Sequence, residues 1–520
     1  MNKSPTKIIF LWHMHQPCYK AVGISHLLVG WVRLHGVKDY YGMAKIIEKF
    51  NVKVTFNFSG ILLEQLSWYI KDRIKDYYCI LTLKNPKYFT RQEKKFVIDR
   101  FFSVNFERFI KPNPRYLALY NKRLSKRPRF SEKDLLDLQV LFNLAWFHPY
   151  TYKEDKNLQY LLQKGKDYNQ EDKEYIIKKQ YEILSEIFPL YKKLLLAGKI
   201  ELSLSPYYHP IMPLIFDTDI AKEFFNIKIP VLRFRSPSDC VWHLQKSKEI
   251  FNKIFGYLPV GSWPSEGSVS EDIALMYSKE GFNWIATDEG ILFKSFAVGE
   301  TSYDAIKNQR HIISQAYRFG NLNIFFRDRN LSDLISFSYH SWEDQKLAAF
   351  DLLGHFKKAH QYLKDIFKER FISIIMDGEN AWAYYKNNGI DFLETIYRNL
   401  ENNQDLSTTT PTEFLTNYKA KKLERLSAGS WINSDFSVWI GNKKNNQYWT
   451  ILRRIKDSLS SLDESKKEKI KNYLYILEGS DWFWWNTFNE VTGVFKEIFY
   501  SYVEAIQKLL GKKISFVKDL

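Results

Sequence analysis

The chain has 520 residues, of which 45% are apolar and 26% charged, a balance typical of folded globular proteins and unlike disordered ones. Lysine and arginine number 76 against 59 aspartates and glutamates, which gives a net charge of +17. This excess is scattered along the chain, so we interpret it as a solvated basic surface and expect no specific nucleic-acid partner. Phe, Tyr and Trp make up 17% of the residues, and such rings can stack on flat ligands as well as fill a core.

Three cysteines, Cys18, Cys79 and Cys240, lie far apart and form neither a CxxC pair nor a metal-ligand spacing. We therefore expect no disulfide framework and a reducing compartment. No apolar stretch reaches 18 residues, and the apolar run near the N-terminus is too short for a signal peptide. These features predict a cytoplasmic protein without a membrane partner.

Seven short segments have the apolar or alternating character of buried β-strands, and each leads into polar or aromatic residues. They lie at 7–12, 52–58, 200–204, 258–261, 283–287, 322–326 and 371–376. Helical patterns alternate with them, for example the leucine repeat at 135–144 behind a capping box of Ser131 and Asp134. This alternation predicts an α/β fold with a parallel sheet covered by helices. Because polar residues gather at the strands' carboxyl ends, we predict a barrel with its ligand site there, and an open doubly wound sheet as the alternative.

The segment 61–196 between the second and third predicted strands is mostly helical and too long for one crossover, so we predict an inserted helical region. After Asp377 no strong strand pattern follows. Helical patterns at 451–477 and 495–510, the second ended by Gly511, predict a C-terminal helical region. The expected organisation is a barrel at 1–390 that carries the insertion, and a helical region at 391–520 that contributes to the cleft.

Two carboxylic acids, Glu266 and Asp377, follow predicted strands. Burial at a strand end disfavours the charged form, which raises the pKa and suits a proton donor. Two such acids at one barrel mouth, flanked by Trp263 and Trp382, are the groups that cleavage of a glycosidic bond requires. The structural alternative is that each acid caps the helix that follows it.

His13 and His15 follow the first predicted strand, and alternation places both imidazoles on one side. Hydrogen bonds to sugar hydroxyls, a metal site and a purely structural role are the three interpretations. No HExxH motif or Cys/His cluster supplies further ligands, so we favour sugar contacts and expect no metal or other cofactor. The sequence also lacks the GxxxxGK[ST], GxGxxG and GxSxG motifs of phosphate-binding loops, dinucleotide sites and serine hydrolases.

Five motifs, in order along the chain, resemble those of glycoside hydrolase family 57, which includes α-amylases, amylopullulanases, 4-α-glucanotransferases and branching enzymes. They are HMHQP at 13–17, GKIE at 198–201 with PYYHPIMP at 206–213, GSWPSEGSVS at 261–270, MDGENAW at 376–382, and SWI at 430–432 with FSVWIG at 436–441. The resemblance covers about residues 7–510. It implies an incomplete (β/α)7 barrel with an added helical region and a retaining mechanism without a catalytic metal.

By motif position, Glu266 matches the family's nucleophile and Asp377 its general acid/base. The resemblance implies an α-glucan or maltooligosaccharide substrate. We predict an α-amylase-like or amylopullulanase-like hydrolase of α-1,4 bonds, with α-1,6 bonds as a further target. The alternatives are a 4-α-glucanotransferase and a non-catalytic glucan-binding protein on the same scaffold. The predicted substrate-binding residues are His13, His15, His209 and Trp431, which match positions near the family's sugar subsite, and Glu201, Trp263, Asp288 and Trp382.

Overall fold

The computed structural model describes residues 4–224, 232–297, 302–488 and 493–514. The described residues form a ten-stranded sheet, in which neighbours pair in the order β10-β6-β7-β5-β4-β3-β2-β1-β8 and β9 also pairs with β1. All of these pairings are parallel except that of β6 with β7. The strands are β1 (Thr6–Met14), β2 (Val54–Ser59), β3 (Ile200–Ser205), β4 (Gly261–Ser262), β5 (Trp284–Asp288), β6 (Tyr317–Phe319), β7 (Leu322–Arg327), β8 (Phe371–Asp377), β9 (Leu406–Thr408) and β10 (Lys421–Lys422).

The seven predicted strands are all present, as β1 to β5, β7 and β8, so the prediction of an α/β fold with a parallel sheet is confirmed. The fourth strand is reduced to two residues, and a side chain at Gly261 would collide with the indole of Trp284 on β5. Three further strands of the described structure were not predicted. β6, β9 and β10 span only two or three residues, which is too short for a period-2 pattern to appear.

β7 and β8 are not neighbours in the sheet order given above, but hydrogen bonds show that they lie side by side. The backbone N–H of Asp328 donates to the carbonyl of Ser373 at 3.0 Å, and the Ser373 hydroxyl donates to the carbonyl of Phe326. β8 therefore has β1 on one side and β7 on the other.

Alternate residues of β1 contribute to different apolar clusters. Ile8 and Phe10 belong to the large cluster between the sheet and its helices. Ile9 and Leu11 belong to a smaller cluster with Trp284 and other residues of β5, β7 and β8. Odd-numbered residues of β1 thus share one face, and His13 at the strand's carboxyl end continues it.

Within residues 4–199, ten α-helices precede β3, and eight of them, α3 to α10, occupy the segment between β2 and β3 that was predicted to be helical. The predicted capping box is present, since Ser131 Oγ accepts from the Asp134 N–H at 3.1 Å and Asp134 Oδ2 accepts from the Ser131 N–H at 2.8 Å. The helices are α1 (Trp31–His35), α2 (Tyr41–Glu48), α3 (Gly60–Lys71), α4 (Tyr77–Leu83), α5 (Arg91–Arg100), α6 (Pro114–Leu124), α7 (Glu132–Leu144), α8 (Pro149–Glu154), α9 (Lys156–Lys164) and α10 (Gln170–Leu196).

The helices after β3 include a C-terminal group that begins at α19. The segment 451–477, where a helical pattern was predicted, contains parts of two successive helices, because Asp463 caps a new helix by accepting from the Lys466 N–H at 2.9 Å. The last helix ends at Gly511 in the left-handed region, as predicted. The helices are α11 (Met212–Phe216), α12 (Ile220–Phe224), α13 (Pro237–Phe255), α14 (Glu271–Lys279), α15 (Glu289–Phe296), α16 (Tyr303–Lys307), α17 (Arg329–Asp333), α18 (Gln345–Ile366), α19 (Ile390–Glu401), α20 (Pro411–Asn417), α21 (Lys443–Ser458), α22 (Glu464–Leu477), α23 (Ser480–Thr487) and α24 (Val494–Leu510).

The C-terminal helices contact the sheet near the carboxyl end of β3. Pro210 pairs with Gly479, and the Ser480 N–H donates to the carbonyl of His209 at 3.0 Å. The start of α23 therefore lies against the loop that follows β3. Among the described helices none is long and apolar enough to cross a bilayer, and the three cysteines are buried and unpaired.

Candidate active site

A cavity of about 630 Å³ lies at the carboxyl ends of β1, β3, β4 and β8. This is the edge at which parallel α/β sheets bind ligands. Six of the predicted site residues line it: His13, His15, His209, Glu266, Asp377 and Trp431.

Glu266 lies in a 3-10 turn, Ser265–Gly267, directly after β4, and its backbone is in the left-handed region with φ 57° and ψ 24°. A non-glycine residue in this region costs about 1–3 kcal/mol and needs support from its surroundings. Part of that support comes from residues 429–431: Val269 and Gly429 exchange backbone hydrogen bonds, and the Trp431 N–H donates to the Glu266 carbonyl at 2.9 Å.

Trp431 also holds the Glu266 side chain. Its indole Nε1 donates to Glu266 Oε2 at 2.8 Å, while Oε1 lies 3.8 Å from Nδ1 of His209. The Trp431 ring packs edge-on against Trp263 at 5.4 Å, and the Arg327 guanidinium lies 5.5 Å from its centre. The indole therefore fixes Oε2, whereas Oε1 makes no hydrogen bond with the described residues.

Asp377 is the last residue of β8 and pairs in register with His13 on β1. The Asn380 amide donates to Asp377 Oδ2 at 2.9 Å. The next residue, Gly378, donates its N–H to the His13 carbonyl at 2.7 Å, and a Cβ there would lie 2.5 Å from the end of Met14. The glycine thus allows the chain to turn closely over β1 behind the carboxyl group.

The two carboxyl groups are electrostatically coupled. Burial, and then the charge of Asp377, raise the pKa of Glu266 from 4.5 to about 8, against the lowering effect of the Trp431 N–H. Burial also raises the pKa of Asp377, which the Asn380 amide and the charges of His15 and Arg327 lower again. Because two nearby carboxylates disfavour double ionisation, the pair retains one proton near neutral pH.

Three histidines form a stack beside the pair. The ring of His209 lies 3.9 Å from that of His15 and 5.1 Å from that of His13, with planes within 19°. Each Nδ1 has its own partner: Asn57 Oδ1 at 2.7 Å for His13, Ser59 Oγ at 2.7 Å for His15, and Ser480 Oγ at 3.0 Å for His209. β1, β2, β3 and α23 together fix the orientation of these rings.

Burial keeps two of these rings neutral. It lowers the pKa of His13 to about 3 and that of His209 well below its ordinary value, and in both the nearby His15 lowers it further. His13 Nδ1 donates to Asn57 Oδ1, so its Nε2 is an acceptor. His209 Nε2 is buried and has no hydrogen-bond partner among the described residues. Within those residues, no group of His, Cys, Asp and Glu has the arrangement of a metal site.

Two acids that sequence reasoning did not assign to the site also line the cavity. Asp481, at the start of α23, lies 3.1 Å from Nε2 of His15. Glu379 accepts from the His15 N–H at 3.3 Å and from the Gln16 amide at 3.2 Å through Oε1, while its buried Oε2 has no partner in the described structure. The signal for Glu379 was its position in MDGENAW, two residues after Asp377.

The structure does not bring four predicted substrate-binding residues to the cavity. Glu201 is the second residue of β3, at the amino end of the strand, and accepts from Trp284 Nε1 at 2.9 Å. Asp288 is buried, caps α15 by accepting from the Gly290 N–H at 2.9 Å, and pairs with Arg329. Both carboxylates are used within the fold.

The two tryptophans that flank the pair in sequence are core residues. Trp263 is fully buried in the smaller apolar cluster, behind Trp431. Trp382 donates its indole N–H to the Gly378 carbonyl at 2.9 Å and packs edge-on against Trp12. The tryptophan that reaches the cavity beside Glu266 comes instead from the segment at 429–431.

Fold and site together define a parallel β/α protein with a coupled pair of carboxylic acids at the carboxyl edge of its sheet. The sequence model of glycosyl hydrolase family 57 matches residues 9–427, and the chain belongs to this family. No curated protein matches it in sequence.

Solved structures share the fold at low identity. A branching enzyme of this family from Pyrococcus horikoshii has a TM-score of 0.64 and 15% identity, over 97% of this chain and 89% of that one. The α-amylase AmyC from Thermotoga maritima has a TM-score of 0.61 and 13% identity, over 98% and 93%. A 4-α-glucanotransferase from Thermococcus litoralis has a TM-score of 0.53 and 14% identity, over 97% of this chain but 60% of that longer one.

Proposed function

We propose that the protein is a retaining glycoside hydrolase that cleaves α-glucans, with Glu266 as nucleophile and Asp377 as general acid/base. The observation that carries this proposal is the coupling of the two carboxyl groups in one cavity, where the charge of Asp377 raises the pKa of Glu266. A retaining glycosidase needs one protonated and one ionised carboxyl group, and a pair that shares a single proton supplies them.

In the proposed reaction Glu266 attacks through Oε1, the oxygen that does not accept from Trp431. Asp377 donates its proton to the glycosidic oxygen while Glu266 Oε1 forms an ester with the anomeric carbon and the glycosidic bond breaks. Ionised Asp377 then removes a proton from water, whose oxygen attacks the same carbon and releases Glu266. The hydrogen bond from Trp431 to Oε2 favours the ionised form of Glu266 that must attack.

Unsatisfied polar atoms in the cavity support a sugar as ligand. His209 Nε2 and Glu379 Oε2 line the cavity and are buried without partners among the described residues. A buried polar atom left unpaired costs about 1–3 kcal/mol, which a ligand hydroxyl recovers when it binds. The neutral His13 offers a further acceptor for such hydroxyls.

We also infer the finer architecture. The contacts of Asp328 with Ser373 support the closure of β1 to β5, β7 and β8 into an incomplete (β/α)7 barrel. The helices between β2 and β3 support an insertion at about 61–196, and the contact of Ser480 with His209 supports a C-terminal region, 391–520, that completes the cleft.

Transfer to a sugar hydroxyl is the second candidate, as in a 4-α-glucanotransferase, because hydrolysis and transfer differ only in what attacks the glycosyl-enzyme. The cavity extends beyond the carboxyl pair to a separate set of aromatic residues, which favours a bound acceptor chain. Incubation with maltotriose separates the two: glucose and maltose alone indicate hydrolysis, and maltotetraose or longer products indicate transfer. Binding without any turnover would instead support a non-catalytic glucan-binding protein and contradict both enzymes.

A further inference from the structure

The cavity that holds the carboxyl pair has a second lining, contributed by α1, α4, α5 and the turn after α7. We call it the insertion wall because four of its six residues come from the segment between β2 and β3; it consists of Trp31, His35, Tyr78, Phe96, Arg100 and Trp146. We propose that the insertion wall binds glucose units of an α-glucan distant from the bond being cleaved, so that the enzyme prefers longer chains. This inference rests on the proposed function.

The rings of the wall contact one another rather than the three stacked histidines beside the carboxyl pair. Trp31 lies 5.4 Å from Trp146 and 5.7 Å from Tyr78, and His35 lies edge-on to Trp146 at 5.1 Å. Among the described residues none of these rings contacts the stack of His13, His15 and His209. Aromatic rings offer a flat apolar surface to the C–H face of a sugar ring. Two separate ring clusters in one cavity therefore suit different glucose units of one chain.

The wall also presents hydrogen-bond donors without partners. Trp146 is only 6% exposed, and its indole Nε1 has no partner among the described residues. Arg100 is half-buried and makes no side-chain hydrogen bond or ion pair with any residue that the structure describes. The Trp146 N–H is therefore a buried donor that a ligand hydroxyl or a water at the cavity can satisfy. Sugar hydroxyls accept from indole and guanidinium N–H groups alike.

A buried charge network fixes the wall from behind. Lys38 Nζ lies 4.7 Å from the centre of the Trp146 ring and 3.6 Å from Asp39 Oδ1, while Asp39 Oδ2 lies 2.7 Å from Nδ1 of His35. These contacts hold Trp146 and His35 in place before any ligand arrives. A rigid aromatic surface loses little entropy on binding, which favours affinity for a chain that reaches it.

The test compares maltotriose with maltoheptaose in Trp146→Phe and Arg100→Ala. Trp146→Phe keeps an aromatic ring and removes the N–H, and Trp342→Phe, a half-exposed tryptophan outside the cavity, is the matched control. Loss of one neutral hydrogen bond predicts a decrease of about 3- to 10-fold in kcat/KM for maltoheptaose, larger than the decrease for maltotriose. Trp342→Phe should leave both values unchanged. If Trp146→Phe proves unstable, Arg100→Ala provides the same comparison from an independent residue.

Binding is measured separately, by calorimetry of maltoheptaose and maltotriose with Glu266→Gln, alone and combined with each wall substitution. Selective weakening for maltoheptaose supports the insertion wall as a remote subsite. Equal losses for both sugars, or no loss for either, would overturn this inference while leaving the proposed function intact. Failure of the unaltered protein to bind or cleave any maltooligosaccharide would reject the proposed function, and the insertion wall as a glucan site with it.

Discussion

The indole Nε1 of Trp431 donates a 2.8 Å hydrogen bond to Oε2 of Glu266, although the two residues are 165 positions apart in the chain. The bond opposes the burial and the Asp377 charge that raise the pKa of Glu266. It also leaves Oε1 as the free oxygen. Trp431 is therefore a positioning residue whose effect should be visible in the pH dependence of catalysis.

Trp431→Phe should raise the pKa of Glu266 further, because it removes the N–H that favours the ionised form. The alkaline limb of kcat/KM, at which the carboxyl pair loses its one shared proton, should move to higher pH, and kcat should fall by about 10- to 100-fold, the value of a hydrogen bond to a charged group. pH profiles of kcat/KM and of kcat on a maltooligosaccharide measure both effects. An unshifted alkaline limb, with the same profile as Trp342→Phe, would show that the indole does not control the ionisation of Glu266.

Asp481→Asn should shift the same limb in the opposite direction. The negative charge of Asp481 contributes to the raised pKa of Glu266, so its removal lowers that pKa and moves the limb to lower pH. The substitution also removes the carboxylate 3.1 Å from His15 Nε2, so KM should rise. Asp463→Asn, at the cap of α22, is a control from the same helical region. A shift in the same direction as Trp431→Phe would contradict the electrostatics of the site.

The raised pKa of Glu266 also predicts how stability depends on pH. The folded protein binds the Glu266 proton with a pKa of about 8, and the unfolded chain binds it near 4.5. This proton therefore stabilises the fold fully below pH 4.5, and its contribution is lost as pH rises toward 8.

Glu266→Gln cannot ionise, so its free energy of unfolding, relative to the unaltered protein, should increase between pH 5 and pH 8. The increase should be on the order of 1 kcal/mol per pH unit. Denaturant unfolding at the two pH values measures it, with the exposed Glu468→Gln as control. If the free energies of unfolding of Glu266→Gln and the unaltered protein differ by the same amount at both pH values, Glu266 has an ordinary pKa in the folded protein.

Asp288→Asn should lower the free energy of unfolding without weakening substrate binding. Asp288 is buried, pairs with Arg329 and caps α15, and it lies outside the cavity lining. Loss of its charge leaves Arg329 without this partner and should cost on the order of 3 kcal/mol of folding free energy. KM for maltooligosaccharides should stay unchanged. A raised KM with unaltered stability would instead restore Asp288 to the substrate site.

Part of this site follows from the sequence because the carboxyl ends of parallel strands meet at one edge. Glu266, Asp377 and His13 could be placed there from strand patterns alone. However, closeness to the acids along the chain did not predict whether a side chain faces the cavity. Trp263 and Trp382 flank the two acids along the chain, but their side chains pack into the core.

Long-range partners could not be derived from local pattern. The contact of Asp481 with His15 depends on how the C-terminal helices seat against the loop after β3, which no periodicity encodes. Glu201 shows the converse error: its motif position suggested the site, but the amino end of a strand faces away from the carboxyl edge. The roles of individual motif residues thus depend on which end of each strand they occupy.

The assignment of roles within the carboxyl pair is the central claim, and burial by itself would make Glu266 a good proton donor. Rescue by azide separates the two roles, with 4-nitrophenyl α-maltoside as a substrate that needs no acid to depart. Glu266→Gly with azide should yield the β-glycosyl azide, because azide replaces the nucleophile and attacks once. Asp377→Gly should yield the α-glycosyl azide, because azide then attacks the glycosyl-enzyme that Glu266 forms. The reverse assignment of the two products would contradict Glu266 as the nucleophile.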